Sequence, residues 1–535
     1  MKQGPTIYQR RIVIGAALCA AAFALVGVRL VDVTLFRAQL GGGIALGEAV
    51  APRADLIDRN GELLARDLPV MDLYAKPHAF DDKDEAARGL AAATGTDYRR
   101  LRRAFDNVKS PYVLVARQLP PDVQEKVMRL GLAGLEFEPD TKRYYPQGRA
   151  AAQVLGVTDP DGEGQSGLEG GLDVELRTAT DQPVAASIDM RVQYILAAEV
   201  AAARKDFRAV KAGGIVMDVN TGEVLAMVSV PNFDPNYRRF AGDDSDKNIM
   251  AGDRYELGSV FKVLTFALAL DDHTTRLDEV FPIGQGLRIG KYTIHEAEHM
   301  PATYTAREIL AHSSNIGSAQ IALRSGAARQ REFLASLGLL NMLSTELPER
   351  ARPLFPRSNW GTIETATIGF GHGISVAPLS YVAAAAVVVN GGRKVVPTFL
   401  RHPRDGRGKQ ILKPETSAQM RELLRFVVTD GTGRKADIPG YEVGGKTGSA
   451  EKPRENGRGY QSHVLVTSFL AAFPMSAPRY IVFVLLDTPH GTKETGGLAL
   501  AGYTAAPLAG RVISRIAPIL GVPQKPVALA ARETP

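Results

Sequence analysis

Residues able to form β-strands sit at both ends of the second half of this chain, and the stretch between them is patterned as helix. Residues 214–219 and 223–230 are apolar runs joined across Asn220-Thr221-Gly222, which reads as a β-hairpin. Three further strand-like runs follow much later, at residues 441–449, 464–473 and 480–487, with a closing helix expected over 503–516. Between the two groups, from the segment at 259 to about residue 430, the apolar spacing is mainly helical. Strands from both ends of a domain can meet only if the helices between them are laid over the sheet. The chain should therefore be α+β, with a five-stranded antiparallel sheet covered by helices.

At 535 residues the chain exceeds one ordinary core, so more than one domain is expected. Residues 12–36 are apolar except for Arg29 and Asp32, and follow Lys2, Arg10 and Arg11. That run is long enough to cross a bilayer, and the positive residues before it keep residues 1–11 in the cytoplasm. A cleaved signal peptide is the rival reading, but the small residues Ala20-Ala21-Ala22 lie inside the run rather than after it. An uncleaved single-pass anchor is expected, with everything after it outside the cytoplasm. The only cysteine, Cys19, lies in this span, so no intrachain disulfide is possible.

Residues 37–180 read as an α+β module. It should hold a hairpin around Asn60-Gly61, two helices within 83–108 broken near Gly95, a strand at 112–119, a helix at 121–130 and an extended piece at 134–145. A Gly- and Asp-rich joint is expected over 148–171, the second domain over 181–522 and a loose tail over 523–535. The formal charge of +6 comes from scattered Lys and Arg without a nucleic-acid motif, so nucleic acid is not an expected partner. No His, Cys or acidic cluster has metal-ligand spacing, and no metal is expected.

Chemistry enters at Tyr255-Glu256-Leu257-Gly258-Ser259-Val260-Phe261-Lys262. Gly258 gives a turn and Ser259 is expected to open the apolar helix that follows, with Lys262 three residues on and its amine within reach of the hydroxyl. A serine needs a base, and burial lowers a lysine's affinity for its proton. A second Ser-x-x-Lys, Ser449 to Lys452, lies in a charged segment with Pro453 and no helical period. Ser313-Ser314-Asn315 and Lys446-Thr447-Gly448 are two more patterns, the first at a helix junction and the second on a strand. Strand alternation points Lys446 one way and Thr447 the other, and Gly448 lets another backbone approach. The cluster Gly369-Phe370-Gly371-His372-Gly373 lacks the frame of a phosphate loop, and His372 reads as a turn residue rather than a base.

The three patterns in this order resemble the signature set of penicillin-binding proteins and the related β-lactamases. From the anchor to about residue 522 the chain resembles a class B penicillin-binding protein, a peptidoglycan DD-transpeptidase. Asp58-Arg59-Asn60-Gly61, Arg143-Tyr144-Tyr145-Pro146 and Gly167-Leu168-Glu169 in the pedestal share the resemblance, as does the run from Met217 to Ala226. Gly371 to Leu379 looks like the cell-division type. Leu257, Val260 and Ser449 depart from the family's usual proline, threonine and threonine. The resemblance implies that Ser259 attacks the penultimate D-Ala carbonyl of a D-Ala-D-Ala stem peptide, with Lys262 as base, and that β-lactams acylate the same serine. It further implies that Ser313 relays the leaving-group proton and Asn315 holds Lys262. Lys446, Thr447 and Ser449 receive the substrate carboxylate, and the N–H groups of Ser259 and Ser449 form the oxyanion hole beside Gly448. No cofactor is implied. The partners implied are peptidoglycan, the membrane, a membrane-embedded glycan polymerase of the SEDS family and other division proteins. A DD-carboxypeptidase or β-lactamase-type hydrolase and a non-catalytic peptidoglycan-sensing scaffold are the rival readings.

Overall fold

The computed structural model describes Ala24 and residues 53–178, 181–237, 244–357, 360–401, 406–454 and 459–526. The expected cytoplasmic tail, the anchor at 12–36, Cys19 and the end of the loose tail lie outside the described residues, Ala24 excepted. Among the described residues no helix is long and apolar enough to cross a membrane.

The chain divides into two compact units, one holding residues 69–142 and the other residues 53–68 together with 143 onward. In the first, helices Lys83–Thr94, Tyr98–Asp106 and Pro121–Met128 accompany a strand, Val113–Leu119. That strand pairs antiparallel with the end of Leu63–Ala75, placing Tyr74 opposite Leu114 and Ala75 opposite Val113. Gly95, at φ +75°, ends the first helix where the break was expected, and Asp82 and Asp97 accept backbone N–H groups at the helix starts. Leu73, Leu90, Leu101, Phe105, Val115 and Val127 form this unit's core.

The second unit opens with the expected hairpin, Leu56 opposite Ala65 and Ile57 opposite Leu63. Asp58 sets its turn by accepting from Asn60 N at 2.7 Å and Glu62 N at 2.9 Å. Arg143 and Glu169, far apart in sequence, meet in a buried charge network: Glu169 accepts from Arg143 Nε at 2.7 Å and Arg53 Nε at 3.1 Å. Arg143 also reaches Asp67 at 3.2 Å, and Arg53 reaches Asp173 at 2.6 Å. Residues 148–171, expected as a joint, supply Ala151, Val154, Leu155 and Leu168 to the main core.

The sheet has five strands, β1 (Lys211–Asp218), β2 (Val224–Val230), β3 (Gly444–Pro453), β4 (Tyr460–Phe473) and β5 (Tyr480–Asp487), in the order β3-β4-β5-β1-β2. Every neighbouring pair is antiparallel, and one row runs Thr447, Phe469, Val484, Gly214, Val228 across it. Successive side chains point to opposite faces, and here both faces are covered. Val482, Val484 and Leu486 meet the helices Met190–Asp206 (α1) and Ala505–Ile519 (α6). Phe483 and Leu485 belong to the other core, with Lys262–Asp271 (α2) and Pro378–Val389 (α5). Two-sided burial explains why β5 is a continuous apolar run. Helices Ala306–His312 (α3) and Asn315–Ser325 (α4) lie between α2 and α5 in the chain.

Removing one partner of a buried ion network leaves the other charges unpaired. Glu169→Ala should therefore destabilise this unit by roughly 3–5 kcal/mol. Thermal unfolding followed by circular dichroism checks this, with an unchanged Tm the contrary result.

Candidate active site

Ser259 does not open an α-helix. It sits in a 3-10 turn, Gly258–Phe261, and the α-helix begins at Lys262. Gly258 enters that turn at φ +58°, a region costly for other residues. The turn is pinned from two sides. Tyr255 exchanges backbone hydrogen bonds with Val376, at 3.0 and 3.1 Å, and the Tyr381 hydroxyl donates to Val260 O at 2.6 Å. Its neighbours Gly258 and Val260 are buried, whereas Ser259 is partly exposed.

Lys262 is 0% exposed. Its Nζ donates to Ser313 O at 2.5 Å, Ser313 Oγ at 3.1 Å and Asn315 Oδ1 at 2.9 Å. These hydrogen bonds tie the amine to the Ser313–Asn315 turn. Burial drives its pKa down to about 7, against an opposing pull from the charge of Glu296. The turn that receives it is unusual, because Ser313 ends α3 at φ +66°, in the left-handed region. Thr305 and Glu308 form a capping box at the other end of α3.

The strand β3 completes the arrangement. A Cβ on Gly448 would stand 2.6 Å from Leu257 O and 2.9 Å from Val260 Cγ1, and one on Gly258 would stand 3.0 Å from Ser449 O. These glycines are what allow the strand to lie against the Gly258–Phe261 turn. Lys446 is also 0% exposed, and its Nζ donates to Thr447 O at 3.0 Å and Thr447 Oγ1 at 3.1 Å. The two side-chain heads thus converge, where simple alternation sends them apart. Thr447 Oγ1 lies 2.7 Å from Thr432 Oγ1, and Ser449 Oγ accepts from Ala501 N at 3.1 Å. Burial first, and the charge of Lys262 second, hold the Lys446 amine far below the usual lysine range. The second Ser-x-x-Lys pair is extended in β3, and Lys452 turns away to Asp487 at 2.8 Å.

Sequence reasoning missed several residues of this neighbourhood. Glu296 accepts from Asn315 N at 2.7 Å and Ile316 N at 3.1 Å. The loop of the glycine cluster closes over the turn. His372 packs edge-on against Phe370 and 5.4 Å from the Tyr460 ring, and its pKa falls to about 4 through burial and the charge of Lys262. Tyr460 donates to Glu256 Oε2 at 2.9 Å, and burial raises the Glu256 carboxyl. Tyr381 carried one legible signal, as the only aromatic side chain in the Ala- and Val-rich α5. Glu296 carried none, since nothing local ties it to residues near 315.

Comparison with known proteins agrees with this geometry. The penicillin binding protein transpeptidase domain matches residues 212–511, and the penicillin-binding protein dimerisation domain matches residues 48–183. A probable peptidoglycan D,D-transpeptidase FtsI of Caulobacter vibrioides is 39% identical over 502 residues, 91% of this chain and 85% of that protein. The probable peptidoglycan D,D-transpeptidase PenA of Neisseria gonorrhoeae is 32% identical, covering 91% and 87% of the two chains. Penicillin binding protein 3 of Mycobacterium tuberculosis, in a crystal structure with aztreonam, has the same fold, with a TM-score of 0.70 at 24% identity over 89% of this chain and 98% of that one. This chain belongs to the class B penicillin-binding proteins. Its activity is that of a serine-type peptidoglycan D,D-transpeptidase, a cross-linking enzyme that β-lactams bind.

The glycine loop offers a direct test of positioning. Gly371 stands at φ +87°, and a Cβ there would lie 2.1 Å from Gly258 O. Gly371→Ala must push the turn that carries Ser259 aside, and acylation by a fluorescent penicillin should fall roughly tenfold or more. An unchanged rate in a folded variant would remove this loop from the set of positioning elements.

Proposed function

We propose that Ser259 is the nucleophile and Lys262 its base. The observation that carries this is the fully buried Lys262 amine, one helical turn from Ser259 and held by Ser313 and Asn315. With its pKa near 7, a large share of the amine is neutral at physiological pH. Ser259 Oγ bonds to the carbonyl carbon of the penultimate D-Ala, and its proton passes to Lys262. The tetrahedral intermediate collapses, the C–N bond to the terminal D-Ala breaks, and the leaving nitrogen takes that proton. Ser313 is placed to relay it, because a hydroxyl can accept from an ammonium and donate to an amine. An amine on a neighbouring stem peptide then attacks the acyl carbonyl carbon and yields its proton to Lys262; the C–O bond to Ser259 breaks, and Lys262 returns that proton to the Ser259 oxygen.

Asn315 holds Lys262, while Lys446, with the hydroxyls of Thr447 and Ser449, receives the terminal carboxylate. That carboxylate gives the Lys446 amine the opposite charge it needs to hold a proton. The N–H groups of Ser259 and Ser449 stabilise the oxyanion, and Gly448 keeps the strand close enough for the second to serve.

The apolar run at 12–36 is a single-pass anchor in the cytoplasmic membrane, with residues 1–11 inside and the rest of the chain outside. The supports are its length and the preceding Lys2, Arg10 and Arg11. The role is septal wall synthesis, supported by the Gly371-to-Leu379 pattern and by relatives named FtsI in Caulobacter vibrioides and Escherichia coli. A SEDS-family glycan polymerase and other division proteins are the membrane partners of that role.

Peptide mapping after incubation with penicillin should find the adduct on Ser259, and a Ser259→Ala protein should take no label. Lys262→Arg should abolish acylation, since a guanidinium cannot accept the serine proton, whereas Lys446→Arg keeps a cation and should only slow it. Second-order rates with a fluorescent penicillin on folded variants decide between them; an equal loss in both would remove Lys262 as proton acceptor. Reporter fusions at Arg11 and Gly61 should give cytoplasmic and extracytoplasmic signals respectively, and a cytoplasmic signal at Gly61 would reverse the topology.

A further inference from the structure

Glu296 lies in the loop between two short strands, Tyr292–Ile294 and Thr303–Thr305. Its carboxylate is engaged at both oxygens. Oε1 accepts from the Ser314 hydroxyl and from Ile316 N at 3.1 Å, and Oε2 accepts from Asn315 N at 2.7 Å. These donors are the first turn of α4, where backbone N–H groups have no partner within the helix. Ser314 adds its own cap, accepting from Gly317 N at 2.9 Å and, through its carbonyl, from Ser318 Oγ at 2.7 Å. The residues fixed in this way are the ones that hold Lys262: the Ser313 carbonyl and hydroxyl precede Ser314, and Asn315 supplies the amide oxygen.

Charged and titratable groups from three elements couple electrostatically to Lys262. Glu296 comes from the loop, Lys446 from β3 and His372 from the glycine loop. Glu296 is the single carboxylate among them. We propose that Glu296 is a positioning residue for acylation: it locks the Ser313-Ser314-Asn315 turn onto Lys262 and supplies the negative charge that the buried amine faces. The inference rests on Ser259 and Lys262 being nucleophile and base.

Two physical arguments make the carboxylate specific. The turn presents two N–H donors and a hydroxyl, so both oxygens must accept, whereas a glutamine would turn an amino group toward one donor. The second argument concerns basicity. Burial alone would leave Lys262 neutral but a poor proton acceptor, and a general base works best with its pKa near the working pH. The anion opposes burial and keeps the amine basic.

The experiment is the pH dependence of acylation by a fluorescent penicillin, from about pH 5.5 to 9, for the wild-type protein, Glu296→Gln and Glu296→Asp. Acylation needs neutral Lys262, so the rate rises with pH through the pKa of that amine. Loss of the anion lowers the pKa, so the midpoint for Glu296→Gln should move down by about half a pH unit or more. Its plateau should fall roughly tenfold as the turn loosens. Glu296→Asp keeps the charge, so its midpoint should stay near the wild-type value even if the shorter reach lowers the plateau. Circular dichroism confirms that each variant is folded. A lower plateau with an unmoved midpoint would reduce Glu296 to a helix cap and overturn the inference. An unchanged profile, or a midpoint moved upward, would overturn it equally. Failure of the wild-type protein to label at Ser259 is a separate result, and would strike the assignment of the nucleophile.

Discussion

A lysine taken wholly out of water sets the terms for this molecule. Isolated burial of an ammonium is prohibitively costly, so Lys262 must find acceptors, an opposing charge or a neutral form. The structure provides all three: the Ser313 and Asn315 oxygens, the anion of Glu296 and a pKa near 7. Each provision demands something of the backbone. Ser313 must adopt a left-handed conformation, Gly258 must turn at positive φ and Gly448 must leave space for Leu257. The lowered pKa of the amine is thus a property of three segments held together, and no one of them produces it alone.

What holds them is the sheet and its two cores. One face of the sheet packs on α1 and α6, and the other packs on α2 and α5, which carries Tyr381 to the Val260 carbonyl. Because β5 is central and buried on both faces, β3 is constrained in register through β4, with Thr447 opposite Phe469. A one-residue slip would carry Lys446 to the opposite face of the sheet. The position of the second lysine is therefore secured by apolar packing well away from it.

Much of this was legible in the chain itself. The five strands, the closing helix and the helices broken at Gly95 follow from apolar period and turn residues, which act over a few positions. The segments Ser259 to Lys262, Ser313 to Asn315 and Lys446 to Gly448 could be picked out because each combines unusual residue types over a short span. The local form at Ser259 was less accessible: helical spacing continues through Val260 and Phe261, whereas the hydrogen bonds that pin the 3-10 turn come from Val376 and Tyr381, more than a hundred residues away in the chain. The pedestal motifs were readable as separate runs, but not as one network, since Arg53, Arg143 and Glu169 are joined only by burial.

The sequence by itself determined which groups are available: two lysines, four hydroxyls, an amide and the glycines that permit close approach. It determined the strand and helix segments as well, because those depend on side-chain period and on local φ preference. Tertiary structure alone decided where the Lys262 amine points, why the Lys446 and Thr447 heads converge, and that Glu296 and His372 belong to the same neighbourhood. The reason lies in the range of the forces. Period and turn chemistry act between residues a few positions apart, whereas desolvation and Coulomb coupling depend on distance in space, which the folded backbone alone establishes.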